Sequence, residues 1–369
     1  MQCNMTTCSD NRMSLIHSVI RRLPAVVGLL AAIITSNTVM AGTGAPILLY
    51  HHVSAQTPAS TSITPQQFEQ HMAYLHDHYT VLPLTDIVSA LRQRQPLPDN
   101  AIAVTFDDGY ANILENGHPI MQKYEIPYTV FINPAEIGQR RDQLSWQQVK
   151  TMQQAGVIFA NHTLDHLHML NREEGETEQQ WLNRVVNNVE QAESLIEEKT
   201  GRSLRYLAYP FGEYNRTLAA QLQKRGYIGF GQHSGAAGPD SDFAALPRFP
   251  AAGPYASLNS LKAKMASLPM PVSQSTFNEP QMDGHTPPES ITLTIDNSDV
   301  RLSQAACYFQ GDEVTVSTTD KSLTVKLSQS LPTGRSRVNC TAPSNSQNGR
   351  FYWYSQPFFV ADSSGHYPD

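Results

Sequence analysis

The sequence has no low-complexity tract, no long block of like charge and no cluster of Lys and Arg. The first two absences leave the composition of a soluble globular protein. The third, with a net charge of −7, gives no reason to expect nucleic acid or another polyanion as partner. A bilayer-spanning run near the N-terminus is missing too: Leu23–Ile34 is about a dozen residues, against the roughly 20 that a transmembrane helix needs. Cysteine is scarce, at four.

The flanks of that apolar run suggest a cleaved secretory signal over residues 1–41. Arg12, Arg21 and Arg22 precede it, and Val39-Met40-Ala41 sets small or aliphatic residues at the −3 and −1 positions of a cleavage site. Met13 is an alternative start, and no cysteine sits at the cleavage point to carry a lipid. Removing 1–41 takes away three Arg and one Asp, which moves the net charge from −7 to −9. Cys3 and Cys8 leave with the signal. The remaining pair, Cys307 and Cys340, reads as a disulfide in an exported protein, two buried free thiols being the alternative. The mature chain is expected to be exported, periplasmic or secreted, without a membrane span, and monomeric.

At 369 residues the chain can hold a barrel of roughly 200–250 residues and a small partner domain. From Pro46 to about Pro250 short apolar runs alternate with helical segments. Ile47–Tyr50 is a first buried strand, and Thr64-Pro65-Gln66-Gln67 a capping box. The helix it opens buries Phe68, Met72 and Leu75. Ala101–Phe106 is a continuous apolar strand. Thr177–Lys199 is a long amphipathic helix closed by Gly201. Repeated strand–helix units imply a parallel sheet with helices outside it. The expected fold is therefore α/β, with a catalytic domain over 42–261. Pro269, Pro271, Pro280, Pro287 and Pro288 mark a linker over 262–290. Beyond it the hydrophobic period becomes two, as in Ile291–Ile295 and Leu323–Leu327, so 291–369 is expected to be a small β-sandwich.

Two stretches carry chemistry. Thr105-Phe106-Asp107-Asp108-Gly109-Tyr110 ends one apolar strand, and Asn161-His162-Thr163-Leu164-Asp165-His166 follows another. Alone, an Asp pair before Gly is often only a turn, and His-x-x-x-His is often two unrelated histidines. Together, both at strand C-terminal ends where barrel active sites assemble, they can build a two-His, one-carboxylate metal site with a spare carboxylate beside it.

These two motifs, with Tyr209-Pro210-Phe211-Gly212, resemble the three leading motifs of the polysaccharide deacetylase (NodB-homology) family of carbohydrate esterases. The resemblance implies a distorted (β/α) barrel that removes N-acetyl groups from a polysaccharide. By it, Asp108, His162 and His166 would bind a divalent metal, commonly zinc. Asp107 would be the general base, and the Phe211 N–H would help hold the oxyanion. Two departures stand out. The Arg that usually lies two residues before the third-motif Pro is replaced by Ala208; Arg248 either reaches the base instead or forms a surface ion pair. No late Leu-x-His follows residue 230, but Leu49-Tyr50-His51 follows the first strand. That placement is similar to the circularly permuted branch that includes exported poly-β-1,6-N-acetylglucosamine deacetylases, and it makes His51 the general acid, with His52 as the alternative.

The resulting expectation is metal-dependent N-deacetylation of a β-linked N-acetylglucosamine exopolysaccharide. Peptidoglycan or chitin oligosaccharides are the alternative substrates, and an inactive glycan-binding protein is the rival of another class. His71, His76 and His78 read as solvated. Tyr110 and Trp146 could stack on a sugar or pack in the core, and one face of Phe351-Tyr352-Trp353-Tyr354 could present a glycan platform, plain packing being the alternative.

Overall fold

Six parallel strands carry the catalytic half, in a computed structural model that describes residues 41–42 and 44–368. The expected signal peptide falls almost wholly outside the described residues. The strands are β1 (Ala45–Tyr50), β2 (Ala101–Phe106), β3 (Thr129–Ile132), β4 (Ile158–Asn161), β5 (Tyr206–Ala208) and β6 (Ile228–Phe230). They neighbour one another in sequence order, each pair parallel. Every residue of β1, β2 and β3 is buried. That explains their continuous apolar runs, since a parallel strand covered on both faces has no polar side to alternate with.

A short segment closes the ring. Leu246 exchanges backbone hydrogen bonds with Gly229 and Gly231 of the β6 region, and Phe249–Pro250 pairs in parallel with Leu48–Leu49 of β1. Residues 246–250 therefore bridge the last strand to the first, giving a distorted (β/α) barrel. Arg248 sits in the middle of this bridge and is fully buried.

The covering helices are α1 (Pro65–His78), α2 (Leu84–Arg92), α3 (His118–Lys123), α4 (Trp146–Gln154), α5 (Glu178–Thr200), α6 (Arg216–Lys224) and α7 (Leu258–Met265). Capping boxes open α1 at Thr64/Gln67, α4 at Ser145/Gln148 and α5 at Thr177/Gln180. Gly201 ends α5 at φ 71°, a left-handed turn that a Cβ would strain. No helix among the described residues is long and apolar enough to cross a membrane.

The second half is all β: β7 (Ile291–Ile295), β8 (Ala306–Phe309), β9 (Asp312–Thr318), β10 (Ser322–Lys326), β11 (Gly334–Pro343) and β12 (Phe351–Val360). The first half of β9 pairs with β8 and its second half with β10, so the sheet folds over a core. Ile291, Leu293, Leu323, Phe309, Val338 and Phe358 fill that core, and the Cys307–Cys340 disulfide crosses β8 and β11. The proline-bearing segment 262–290 does not run free between the halves. It completes α7, and its strands Leu268–Pro269 and Gln281–Met282 pair with β12 while Val272–Ser275 pairs with β7. Proline is tolerated there because the strands are short and lie at sheet edges.

β12 packs on both sides. Tyr352 and Phe358 enter the β core, whereas Trp353 meets Phe249 edge-on at 5.3 Å and Phe359 joins the barrel cluster around Tyr209 and Tyr214. The aromatic run, one face of which could have served as a glycan platform, is thus largely spent on packing and on docking the two halves. Phe351 is its exposed member.

Candidate metal centre

Asp107 and Asp108 follow β2, and the Asp107 N–H donates to the Tyr50 carbonyl of β1 at 2.9 Å, which anchors the pair between two strand ends. His162 and His166 lie just beyond β4. One ligand atom from each of Asp108, His162 and His166 lies within 4.8 Å of the others. His162 Nε2 is 3.1 Å, and His166 Nε2 3.3 Å, from Asp108 Oδ1.

The fit to a cation follows from His162. Its Nδ1 lies 2.8 Å from the Ala208 carbonyl, which only an N–H can satisfy. Its Nε2 and Asp108 Oδ1 are buried, close and without a directed hydrogen bond. Two such atoms aimed at one spot fit a positive charge between them. The balance of charges agrees. Burial pushes the His162 imidazole toward its neutral form, yet Asp107 and Asp108 outweigh it and raise its affinity for positive charge. Burial opposes ionised Asp108 as well, but the imidazoles of His162 and His166 hold its carboxyl well below the usual range. Two imidazoles and a carboxylate are a donor set for a divalent transition metal.

Asp107 does not join that cluster. Arg248 Nη1 donates to its Oδ1 and Nη2 to its Oδ2, each at 2.7 Å, while Nε donates to the Gly231 carbonyl at 2.9 Å. Burial alone would raise the Asp107 carboxyl, but the Arg248 guanidinium keeps it below the ordinary value. The pair is wholly buried, so it is no surface ion pair.

His51 lies at the end of β1, where the charges of Asp108 and Asp107 reach it. Burial lowers its proton affinity, and those two acids pull the other way. His52 turns aside, as adjacent residues of an extended chain must. Its ring stacks on Tyr110 at 3.6 Å, and its Nδ1 lies 2.9 Å from Asn112 Nδ2. Tyr110 is therefore occupied by His52, and the Asp108 charge adds to burial in raising its hydroxyl's pKa. His71, expected to be solvated, is buried instead between the Tyr50 hydroxyl and the Ala256 carbonyl.

The backbone here is held in unusual conformations. Asp108, Thr163, His166 and Phe211 have φ of 74°, 67°, 58° and 56°, the left-handed region that costs non-glycine residues roughly 1–2 kcal/mol each. Asparagine side chains, one inside the second motif and two outside it, pin the loop after β4. Asn161 Oδ1 accepts from the Thr163 N–H at 2.8 Å, Asn188 Oδ1 accepts from the Leu164 N–H at 2.8 Å, and Asn133 donates to the carbonyls of His162 and Thr163. Asn133 could have been suspected, because it ends the apolar run of β3 as Asp107 ends that of β2.

Comparisons with known proteins bear on the family and the fold. Residues 94–229 match the sequence profile of the family described as polysaccharide deacetylase. YxkH of Bacillus subtilis, assigned by its name to that family, is 31% identical over 205 residues, covering 55% of this chain and 70% of its own. The poly-β-1,6-N-acetyl-D-glucosamine N-deacetylase of Staphylococcus aureus MRSA252 is 24% identical over 206 residues, covering 54% and 71%. Two solved structures share the fold. The Streptococcus pyogenes deacetylase PplD in complex with acetate superposes with a TM-score of 0.55 at 22% identity, over 61% of this chain and 99% of that one. IcaB from Ammonifex degensii gives 0.54 at 23%, over 61% and 98%.

Proposed function

Because this chain belongs to the polysaccharide deacetylase family, whose members hydrolyse N-acetyl amide bonds, we propose that it deacetylates an exopolysaccharide of the poly-N-acetylglucosamine type. The observation that carries the reading is a buried carboxylate, Asp107, clamped by Arg248 beside an Asp-His-His cluster. Likeness to the Staphylococcus aureus enzyme favours the β-1,6-linked polymer over peptidoglycan or chitin oligosaccharides. The barrel over 42–261 carries the chemistry. Export is part of the proposal, supported by the pattern of residues 1–41 and by the disulfide.

Asp108, His162 and His166 would hold a divalent metal, zinc being the ion proposed. When bound, such an ion polarises an acetyl carbonyl and acidifies water. Asp107 accepts the proton of the attacking water. Its two oxygens are fixed by the Arg248 fork, so it stays ionised and correctly turned. The Phe211 N–H donates to the negative charge that develops on the acetyl carbonyl oxygen. His51, at the end of β1, gives its proton to the departing amine nitrogen, and acetate leaves.

The test is acetate release by the purified, metal-analysed protein from β-1,6-linked poly-N-acetylglucosamine, chitin oligomers and peptidoglycan. The first polymer should be the fastest substrate, with about one divalent ion per chain at three protein ligands. A chain that binds glycan but neither metal nor releases acetate would favour the inactive binding reading and end this one.

A further inference from the structure

Phe211 occupies a position that normally requires glycine. The Gly212 N–H donates to the Tyr209 carbonyl at 2.9 Å, closing a turn in which Pro210 comes first and Phe211 second, at φ 56° and ψ 2°. A type II turn wants φ > 0 at that second place, so Gly or Asn is usual there. A phenylalanine stays in it only when its surroundings over-determine the geometry.

Those surroundings come from both halves of the molecule. From the barrel, His168 stacks flat on the Phe211 ring at 3.9 Å, and the His166 ring meets it edge-on at 4.5 Å. His168 is held in turn by buried Glu213, Nδ1 to Oε1 at 2.9 Å. From β11 of the C-terminal sheet, Arg335 Nη1 donates to the Phe211 carbonyl at 2.6 Å and also to Gln232 Oε1. Gln232 lies against Gly212, where an added Cβ would come within 3.0 Å of the Gln232 Cβ. The guanidinium therefore ties together the two loops after β5 and β6 and anchors the carbonyl of the residue read as the oxyanion donor.

We propose that Arg335 is a positioning residue for deacetylation: through the Phe211 carbonyl it aims the Phe211 N–H, so the C-terminal sheet is a working part of the catalytic centre. This rests on the reading of Phe211 as oxyanion donor. A donor misaimed by about 1 Å costs on the order of 100-fold in rate, whereas a lost surface contact costs almost nothing.

The experiment compares full-length wild type, Arg335→Ala, Arg335→Lys and, as control, Arg337→Ala. Arg337 lies two residues along β11 and donates to the Tyr255 hydroxyl. Acetate release, bound metal and Tm are measured for each. Arg335→Ala should lose about 10–100-fold in kcat with KM within about twofold, at unchanged metal content and Tm. Arg335→Lys, which keeps one N–H donor, should recover much of that loss. Added guanidinium at millimolar concentration should partly restore the Ala variant, while Arg337→Ala stays near wild type. Arg335→Ala with wild-type kcat overturns the proposal. So does a loss that neither Lys nor guanidinium relieves, or one that follows metal content or Tm. A wild type that releases no acetate from any N-acetylated glycan would instead overturn the functional reading beneath it.

Discussion

Arg248 meets Asp107 as a two-pronged fork, both N–H···O distances 2.7 Å and both side chains wholly excluded from solvent. Such a pair supports stability only while intact, since removing one partner strands a charge in a low-dielectric interior. Arg248→Leu should therefore destabilise the fold by about 3–5 kcal/mol, read as a lower urea midpoint. Arg248→Lys keeps the charge but not the fork. We expect it to lower kcat by about 10–100-fold while KM changes little, because the orientation of Asp107 is lost rather than its ionisation. Wild-type kcat in the Lys variant would show that the fork does not serve catalysis.

Asp107 and the Asp-His-His cluster should separate cleanly by mutation. Asp107→Asn is expected to keep its metal and lose about 100- to 10,000-fold in acetate release, the usual contribution of a general base. His162→Ala should lose metal and activity together, because it removes the ligand whose tautomer the Ala208 carbonyl sets. Metal analysis beside the acetate assay distinguishes the two, and an Asn variant that also loses its metal would place Asp107 among the ligands.

The parts of this site that the sequence displays are those that end an apolar run. Asp107, Asp108 and His162 follow strands whose burial forces continuous hydrophobicity, so a polar residue at the end stands out. In the sequence Arg248 stands only as two alternatives. The segment 246–250 that carries it is too short to show a period, and its role depends on bridging β6 to β1. Arg335 left no local trace, because it meets Phe211 only once the second sheet has docked. His71 is instructive in the other direction. It shares the stripe of Phe68, Met72 and Leu75 at helical spacing, so its burial is legible there, although the polarity of histidine points to solvent. The prolines of 262–290 read as a linker because local chemistry cannot tell an edge strand from an untethered connection.

Buried His71 gives a sign for the dependence of stability on pH. Burial lowers its pKa below the ordinary 6.5, against a hydrogen bond to the Ala256 carbonyl that raises it. Below about pH 6.5 the unfolded chain takes up a proton that the folded chain refuses, so stability falls as pH falls. The loss begins at the unfolded pKa and levels off below the folded one. Urea unfolding at several pH values should show this slope, and His71→Gln should have a shallower one whatever its absolute stability. A slope unchanged by the substitution would assign the effect to other groups.

The Cys307–Cys340 bridge closes a loop 33 residues apart in sequence. Loop-closure entropy at that length is worth about 3–4 kcal/mol. Cys307→Ala with Cys340→Ala should therefore lower Tm clearly in oxidising buffer, and reductant should bring wild type down toward the variant. Because the cross-link sits in the β core away from Asp107, metal content at 25 °C should be unaffected.

The two-sided packing of β12 reaches further than its local contacts. A strand whose neighbouring side chains belong to different interiors serves this polypeptide as a shared wall, and removing it here would lay bare apolar surface on both sides at once.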